Sequence, residues 1–293
     1  MSEKFSPRTV DVVVRKDGDR IPREIRTSLV LGNPETPGTL VFPGIAQDGR
    51  IPRRIASLVP ETDVASALPY WEVPAEYSSI RALAIEYPRV VIEAWREAHD
   101  DDTLVANAVA ESQEGIGVVF AEANNPEDFD TLVLLRPLGL SVEQMGSTSN
   151  ERLRSLAQRA FLGMLQSDQS PLVDPWNIYV GSRIIRRVEP RTPEQMRIGL
   201  DEDMIPLLTE RAAARQREGK RTAIIAGTRD ELIRPEELRA AQKKIGAAAI
   251  DLVAINASHR SMATKRGGHD LQAAIDYINY PTLSVASSWR HMG

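Results

Sequence analysis

The sequence predicts an α/β protein in which a mostly parallel central sheet is flanked by helices and interrupted by one helical insertion. Three observations point there. Short β-branched runs alternate with longer segments of helical period, which is how strands and their crossover helices read in a chain. Several runs are apolar almost throughout, as strands covered on both faces are. The alternation fails once, over residues 138–221, where helical pattern continues without a strand of the buried type.

The elements follow in order. Val10 to Arg15 and Arg23 to Leu31 read as an opening antiparallel pair around the turn Lys16-Asp17-Gly18-Asp19, each alternating apolar and polar residues. Thr39 to Phe42, Val64 to Leu68, Thr103 to Val109, Thr131 to Leu135, Thr222 to Ala226 and Ile250 to Ile255 read as buried strands. Helical period is visible over Ser78 to Ala98, where Pro88 is expected to break or kink the helix, over Pro235 to Ile245 and over Asp270 to Ile278. Residues 1–137 and 222–293 are thus expected to form the core domain, and 138–221 a helical cap. Within the cap, Glu151 to Leu165 and Asp203 to Gln216 look helical and Asp168 to Pro175 looks like a loop.

Composition excludes several classes of function. A chain of 293 residues can bury a full core without covalent staples. The net charge of -5 gives no electrostatic reason to bind a phosphate backbone or anionic lipid, so no nucleic-acid partner is expected. There is no cysteine, which excludes disulfides, thiolate nucleophiles and Cys-ligated zinc. No run of about 18 apolar residues is present to span a bilayer, and the start carries no apolar leader, so a cytoplasmic protein without membrane insertion is expected. A homodimer is compatible with this reading, and no cofactor or metal is called for.

Activated serine hydrolysis needs a hydroxyl on a sharp turn, an imidazole to take its proton and a carboxylate to orient that imidazole. Three positions fit. The apolar strand Thr103 to Val109 runs into Ala110-Glu111-Ser112-Gln113-Glu114-Gly115, and helical pattern begins directly after it. The strand Thr222 to Ala226 ends in Gly227-Thr228-Arg229-Asp230-Glu231. Ile250 to Ile255 is followed by Asn256-Ala257-Ser258-His259. Open α/β sheets place their sites at such carboxyl ends of strands. Taken singly, each residue has a plainer reading: Ser112 as a helix N-cap, Asp230 as a turn acid near a helix start, His259 as a partly buried polar contact.

The turn at Ser112 resembles the G-x-S-x-G nucleophile elbow of the α/β-hydrolase superfamily, with Ala110 at the first glycine, Glu114 at the second and Gly115 one position later. The order serine, acid, histidine is also that of the superfamily. The resemblance implies an α/β-hydrolase fold with an inserted helical cap, and a triad of Ser112, Asp230 and His259. Glu231 is the fallback acid. His269, beside Gly267 and Gly268, is the rival base; His99 and His291, the remaining two of four histidines, sit at a helix end and the terminus. The segment Pro43-Gly44-Ile45-Ala46-Gln47 resembles the family's oxyanion loop, which implies the amides of Ile45 and Gln113 as oxyanion donors.

A small-molecule ester or related acyl compound is the substrate class so implied. Met145, Phe161, Leu162, Met164, Leu165, Trp176, Ile178 and Tyr179 could line an acyl pocket or fill the cap's own core, and Arg183, Arg186, Arg187 and Lys265-Arg266 could meet an anionic group or water. Two other readings stay open. Glu114 at the elbow suits a fold of this type that binds without catalysing. Gly115-Ile116-Gly117 after a strand, with Asp130 beyond, suits a nucleotide-binding protein, although Phe120 occupies the third glycine's place.

Overall fold

A computed structural model describes residues 7–15, 24–32, 38–44, 50–67, 80–166, 204–257 and 267–280. The strands are β1 (Arg8–Arg15), β2 (Glu24–Leu31), β3 (Thr39–Phe42), β4 (Asp63–Ala65), β5 (Ala106–Glu111), β6 (Phe129–Leu135), β7 (Arg221–Gly227) and β8 (Asp251–Ile255). They form one eight-stranded sheet in the order β1-β2-β4-β3-β5-β6-β7-β8. The opening pair is antiparallel, as its alternating pattern predicts, and β2 joins β4 antiparallel. From β4 through β8 all pairings are parallel. No described helix is long and apolar enough to cross a membrane.

The helices are α1 (Arg50–Leu58), α2 (Ile80–His99), α3 (Glu114–Asn124), α4 (Val142–Met145), α5 (Ser149–Gln166), α6 (Met204–Arg217), α7 (Pro235–Ile245) and α8 (Gly267–Asn279). Successive strand residues face opposite sides, so each buried strand feeds two cores. On one face Leu40, Phe42, Ala108, Ala110, Leu132, Leu134 and Ile224 pack with Val91 and Trp95 of α2, Val118 of α3, Leu208 of α6 and Leu238 of α7. On the other face Val41, Val109, Val133, Leu135, Ile225 and Val253 pack with Ile51 and Ile55 of α1 and Leu271 and Ile275 of α8. Apolar runs without alternation are therefore what this sheet requires.

One expectation is corrected. Pro88 does not break its helix: α2 runs from Ile80 to His99 with Pro88 inside, and the buried residues Tyr87, Val91, Ile92 and Trp95 anchor the turns around it. The helix α1 was not anticipated by pattern, because Arg50, Arg53 and Arg54 interrupt a short stretch whose buried stripe is only Ile51, Pro52, Ile55 and Ala56.

Of residues 138–221, expected to form a cap, α4, α5 and α6 are described, and 167–203, with the loop expected at Asp168 to Pro175, lie outside the described residues. The helix α6 packs into the layer flanking the sheet: Met204, Leu208 and Ala212 join the core. Arg215, fully buried, bonds to Glu122 of α3 and to Thr222 of β7.

Candidate active site

The register brings four strand ends to one edge: Glu111 stands opposite Leu135, Leu135 opposite Ile225 and Gly227 opposite Ile255. Ser112 follows β5 directly, and two residues later α3 begins. Its backbone is left-handed, with φ 55°. For a residue with a Cβ that conformation costs about 1–3 kcal/mol and persists only where the surroundings enforce it. Here they do: the Ser112 amide donates to the Leu135 carbonyl at 2.9 Å, and the Leu138 amide donates to the Ser112 carbonyl at 3.1 Å. Ser112 is half-buried, and its neighbours Glu111, Gln113 and Glu114 are buried. The small side chains of Ala108 and Ala110 keep the face beneath α3 shallow, so the helix can turn back closely over the strand it has left.

Glu114, at the position where the elbow motif has glycine, is 1% exposed. Burial pushes its carboxyl up to about 8, so it is largely protonated at neutral pH and enters the core as a neutral group. Tyr87 of α2 is itself raised by burial and by Glu114. Gly115 is not forced by space, since a Cβ there would meet Pro137 and Leu134 at 3.5 and 3.6 Å, ordinary contact distances. The sharp turn thus forms with Glu114 inside it.

Asp230 lies three residues beyond β7 and is 3% exposed. Its Oδ1 accepts the amides of Leu232 and Ile233 at 2.9 and 2.8 Å, which fixes the carboxylate's orientation. The same turn is stitched to the end of β8: Thr228 donates to the Ile255 carbonyl at 2.8 Å and Arg229 to that of Ala257 at 3.0 Å. Gly227 makes this approach feasible, because a Cβ there would stand 2.5 Å from the Ala257 carbonyl oxygen. Of the other sites expected from sequence, Gln113 is buried at the N-cap of α3 and Glu231 is half-buried in the acid turn. His269 is exposed in the first turn of α8. Ile45 and His259 lie outside the described residues, as do Lys265, Arg266, Arg183, Arg186, Arg187, Trp176, Ile178 and Tyr179.

Beneath the same edge is an ionic cluster that the sequence reading did not single out. Arg136, the residue after β6, has no exposed surface and donates to Glu111 at 2.9 Å and to Asp270 at 2.5 Å. The second oxygen of Glu111 accepts the Gly44 amide at 3.1 Å. Burial works against the charge of Arg136, yet the carboxylates of Asp270, Glu111 and Asp230 outweigh it and hold the guanidinium's pKa above its ordinary value. Asp270 is raised, because its own burial outweighs the attraction of Arg136. The available signal was that Glu111 and Arg136 each close an otherwise apolar strand run, where a charge is costly unless paired.

The helix α5 docks on the acid turn. Arg159 of α5 forms a two-point pair with Glu237 of α7 at 2.9 and 2.8 Å and donates to the Leu232 carbonyl at 3.0 Å. Arg159, Asp230, Glu231, Arg229 and Arg234 line a cleft of about 550 Å³ beside this junction.

No protein-family model matches the sequence, and no curated protein is detectably similar. Solved structures do match. The 2-hydroxy-6-oxo-6-phenylhexa-2,4-dienoate hydrolase of Rhodococcus sp. strain RHA1 superposes with a TM-score of 0.57 at 14% identity, over 92% of this chain and 99% of its own. An enol-lactonase from Burkholderia xenovorans LB400 gives 0.55 at 14% identity, over 86% and 97%. A hydrolase from Oleispira antarctica gives 0.59 at 13% identity, over 87% and 94%. The chain has the α/β-hydrolase fold. With these enzymes the chain shares its architecture over nearly its full length, and the strained serine stands in this α/β-hydrolase fold at the junction of β5 and α3. The nucleotide-binding alternative loses its ground: Gly115 and Gly117 lie inside α3 rather than in a loop ahead of it, so they form no phosphate cradle.

Proposed function

We propose that this protein is a serine hydrolase of a small-molecule ester or related acyl compound, with Ser112 as nucleophile, His259 as general base and Asp230 as the carboxylate that orients the base. The observation that carries this reading is the left-handed backbone of Ser112, φ 55°, at the carboxyl end of a central parallel strand. An N-cap serine needs no such strain, since caps ordinarily have extended backbone. A serine that must lift its hydroxyl above the sheet edge does need it.

In this mechanism His259 takes the Ser112 proton as Oγ attacks the acyl carbon. The amides of Gln113 and Ile45 receive the developing oxyanion, the leaving group departs with the proton, and water releases the acyl group by the same steps. Gln113 suits that role because it stands at the N-terminus of α3, where the helix dipole favours negative charge. Asp230 suits its role through the main-chain bond that ties its turn to Ala257, two residues before His259. The segment 138–221 would act as the cap that selects the substrate. The names of the structural neighbours, a dienoate hydrolase and an enol-lactonase among them, favour hydrolysis over a purely binding role.

Hydrolysis of a short-chain p-nitrophenyl ester by purified protein tests the reading. Turnover that disappears in both Ser112→Ala and His259→Ala supports it. Turnover that survives either substitution assigns the activity to other residues.

A further inference from the structure

Among the described residues, Ser112 and Arg136 are two of the three non-glycine residues with positive φ, at 55° and 46°. They are neighbours at the edge of the sheet, because Glu111 pairs with Leu135 and each is followed by one of the strained pair. Strain at Arg136 persists only if its surroundings determine it. Its amide donates to the Ile225 carbonyl of β7 at 2.9 Å, which fixes the main chain. Its side chain, with no exposed surface, reaches Glu111 and Asp270.

The partners of those carboxylates set out what is joined. Glu111 immediately precedes Ser112, and its other oxygen holds the amide of Gly44, the residue before Ile45. Asp270 is in the first turn of α8, the element entered from the segment that carries His259. Asp230 also faces the guanidinium electrostatically. One guanidinium therefore reaches, directly or through one carboxylate, Gly44, the serine turn and the first turn of α8, and it feels the charge of Asp230 in the acid turn.

We propose that Arg136 is a positioning residue for the reaction assigned above: by clamping Glu111 and Asp270 it holds Gly44, the Ser112 turn and the start of α8 in one fixed arrangement. This rests on the Ser112 reading. The planar, forked guanidinium suits the task, since it bonds two carboxylates in set directions, where an ammonium offers only a point charge. An ion cluster of this kind is a weak device for stability, because desolvation consumes most of the Coulombic gain. Its effect belongs to alignment.

The test compares wild type with Asp270→Asn, Arg136→Lys and Arg136→Met in ester hydrolysis, with folding checked by circular dichroism. Arg136→Met leaves two buried carboxylates without their cation and can fail to fold; Asp270→Asn keeps shape and an acceptor oxygen, so it carries the decision. The expected result is a kcat lowered about 100-fold in folded Asp270→Asn, the size of effect that a misplacement of about 1 Å produces. KM should stay within about threefold, because alignment of reacting groups is lost rather than ground-state binding. Arg136→Lys should recover part of the kcat that Arg136→Met loses. An active wild type with unchanged kcat in folded Asp270→Asn and Arg136→Lys overturns the positioning role alone. A wild type that hydrolyses no ester and takes up no serine-directed probe removes the Ser112 reading, and this proposal with it.

Discussion

The amide of Ser112 donates to the carbonyl of Leu135 across the β5–β6 boundary at 2.9 Å, and this bond pins the serine in its left-handed conformation. The strain carries a stability consequence separable from chemistry. Glycine adopts such a φ at little steric cost, so Ser112→Gly should raise unfolding free energy by about 1 kcal/mol while eliminating ester hydrolysis. Urea unfolding of the two proteins measures it, and a Ser112→Gly protein less stable than wild type would show that the side chain stabilises the turn.

Asp230 combines a local task with its proposed catalytic one. Asp230→Asn retains an oxygen for the amides of Leu232 and Ile233, so the turn should survive with a stability change under about 1 kcal/mol. Hydrolysis should fall by about 10⁴-fold, because a neutral amide no longer holds the base in its working tautomer. Parallel melting curves and steady-state rates separate these effects. Full activity in Asp230→Asn would hand the orienting role to Glu231.

Glu114 gives the fold a pH dependence of known sign. Its carboxyl is raised from 4.5 to about 8 in the folded chain, so between those values the native state holds a proton that the unfolded chain has released. Stability contributed by this group is thus complete below about 4.5 and lost as pH rises towards about 8. Glu114→Gln, neutral throughout, should match wild type near pH 4 and exceed it near pH 9 by on the order of a few kcal/mol. Denaturant titrations at the two pH values check the divergence; parallel behaviour would place the carboxyl's titration elsewhere.

Asp63 provides a contrast away from the proposed site. Its Oδ1 accepts the Gly32 amide at 2.6 Å, and its Oδ2 accepts from Trp95 at 2.7 Å and from His99 at 2.8 Å. Asp63→Ala would leave these buried donors without that acceptor, at a cost of about 2–4 kcal/mol. Asp63 begins β4, level with Ala108 and two strands away from β5, so kcat in the folded variant should stay at the wild-type value. Thermal melting and ester turnover report the two halves separately.

The architecture was legible because its signals are dense. Runs such as Thr131 to Leu135 and Thr222 to Ala226 feed both cores, as the apolar, β-branched composition of a doubly covered strand requires. The resemblance drawn from the order of Ser112, Asp230 and His259 pointed to the α/β-hydrolase fold, which the solved structures share. Charge at strand ends was the weak point. The strand expected to close at Val109 continues through Glu111, and the charge of Glu111 is tolerated there because Arg136, 25 residues away and just past β6, meets it. The strand expected to start at Val64 starts at Asp63, whose partners Gly32 and Trp95 lie 31 and 32 residues away in sequence. Long-range pairing of this sort leaves no local pattern. The helical period of α6 likewise says that one face is buried but not that it is buried against α3 and β7.

The most direct measurement is covalent: folded wild-type protein is treated with a fluorophosphonate, digested, and the adduct mapped by mass spectrometry. Attachment at Ser112, absent in Ser112→Ala and strongly slowed in His259→Ala, is the expected result. Attachment at another residue, or none in folded wild-type protein, would contradict the assignment of Ser112 as an activated nucleophile.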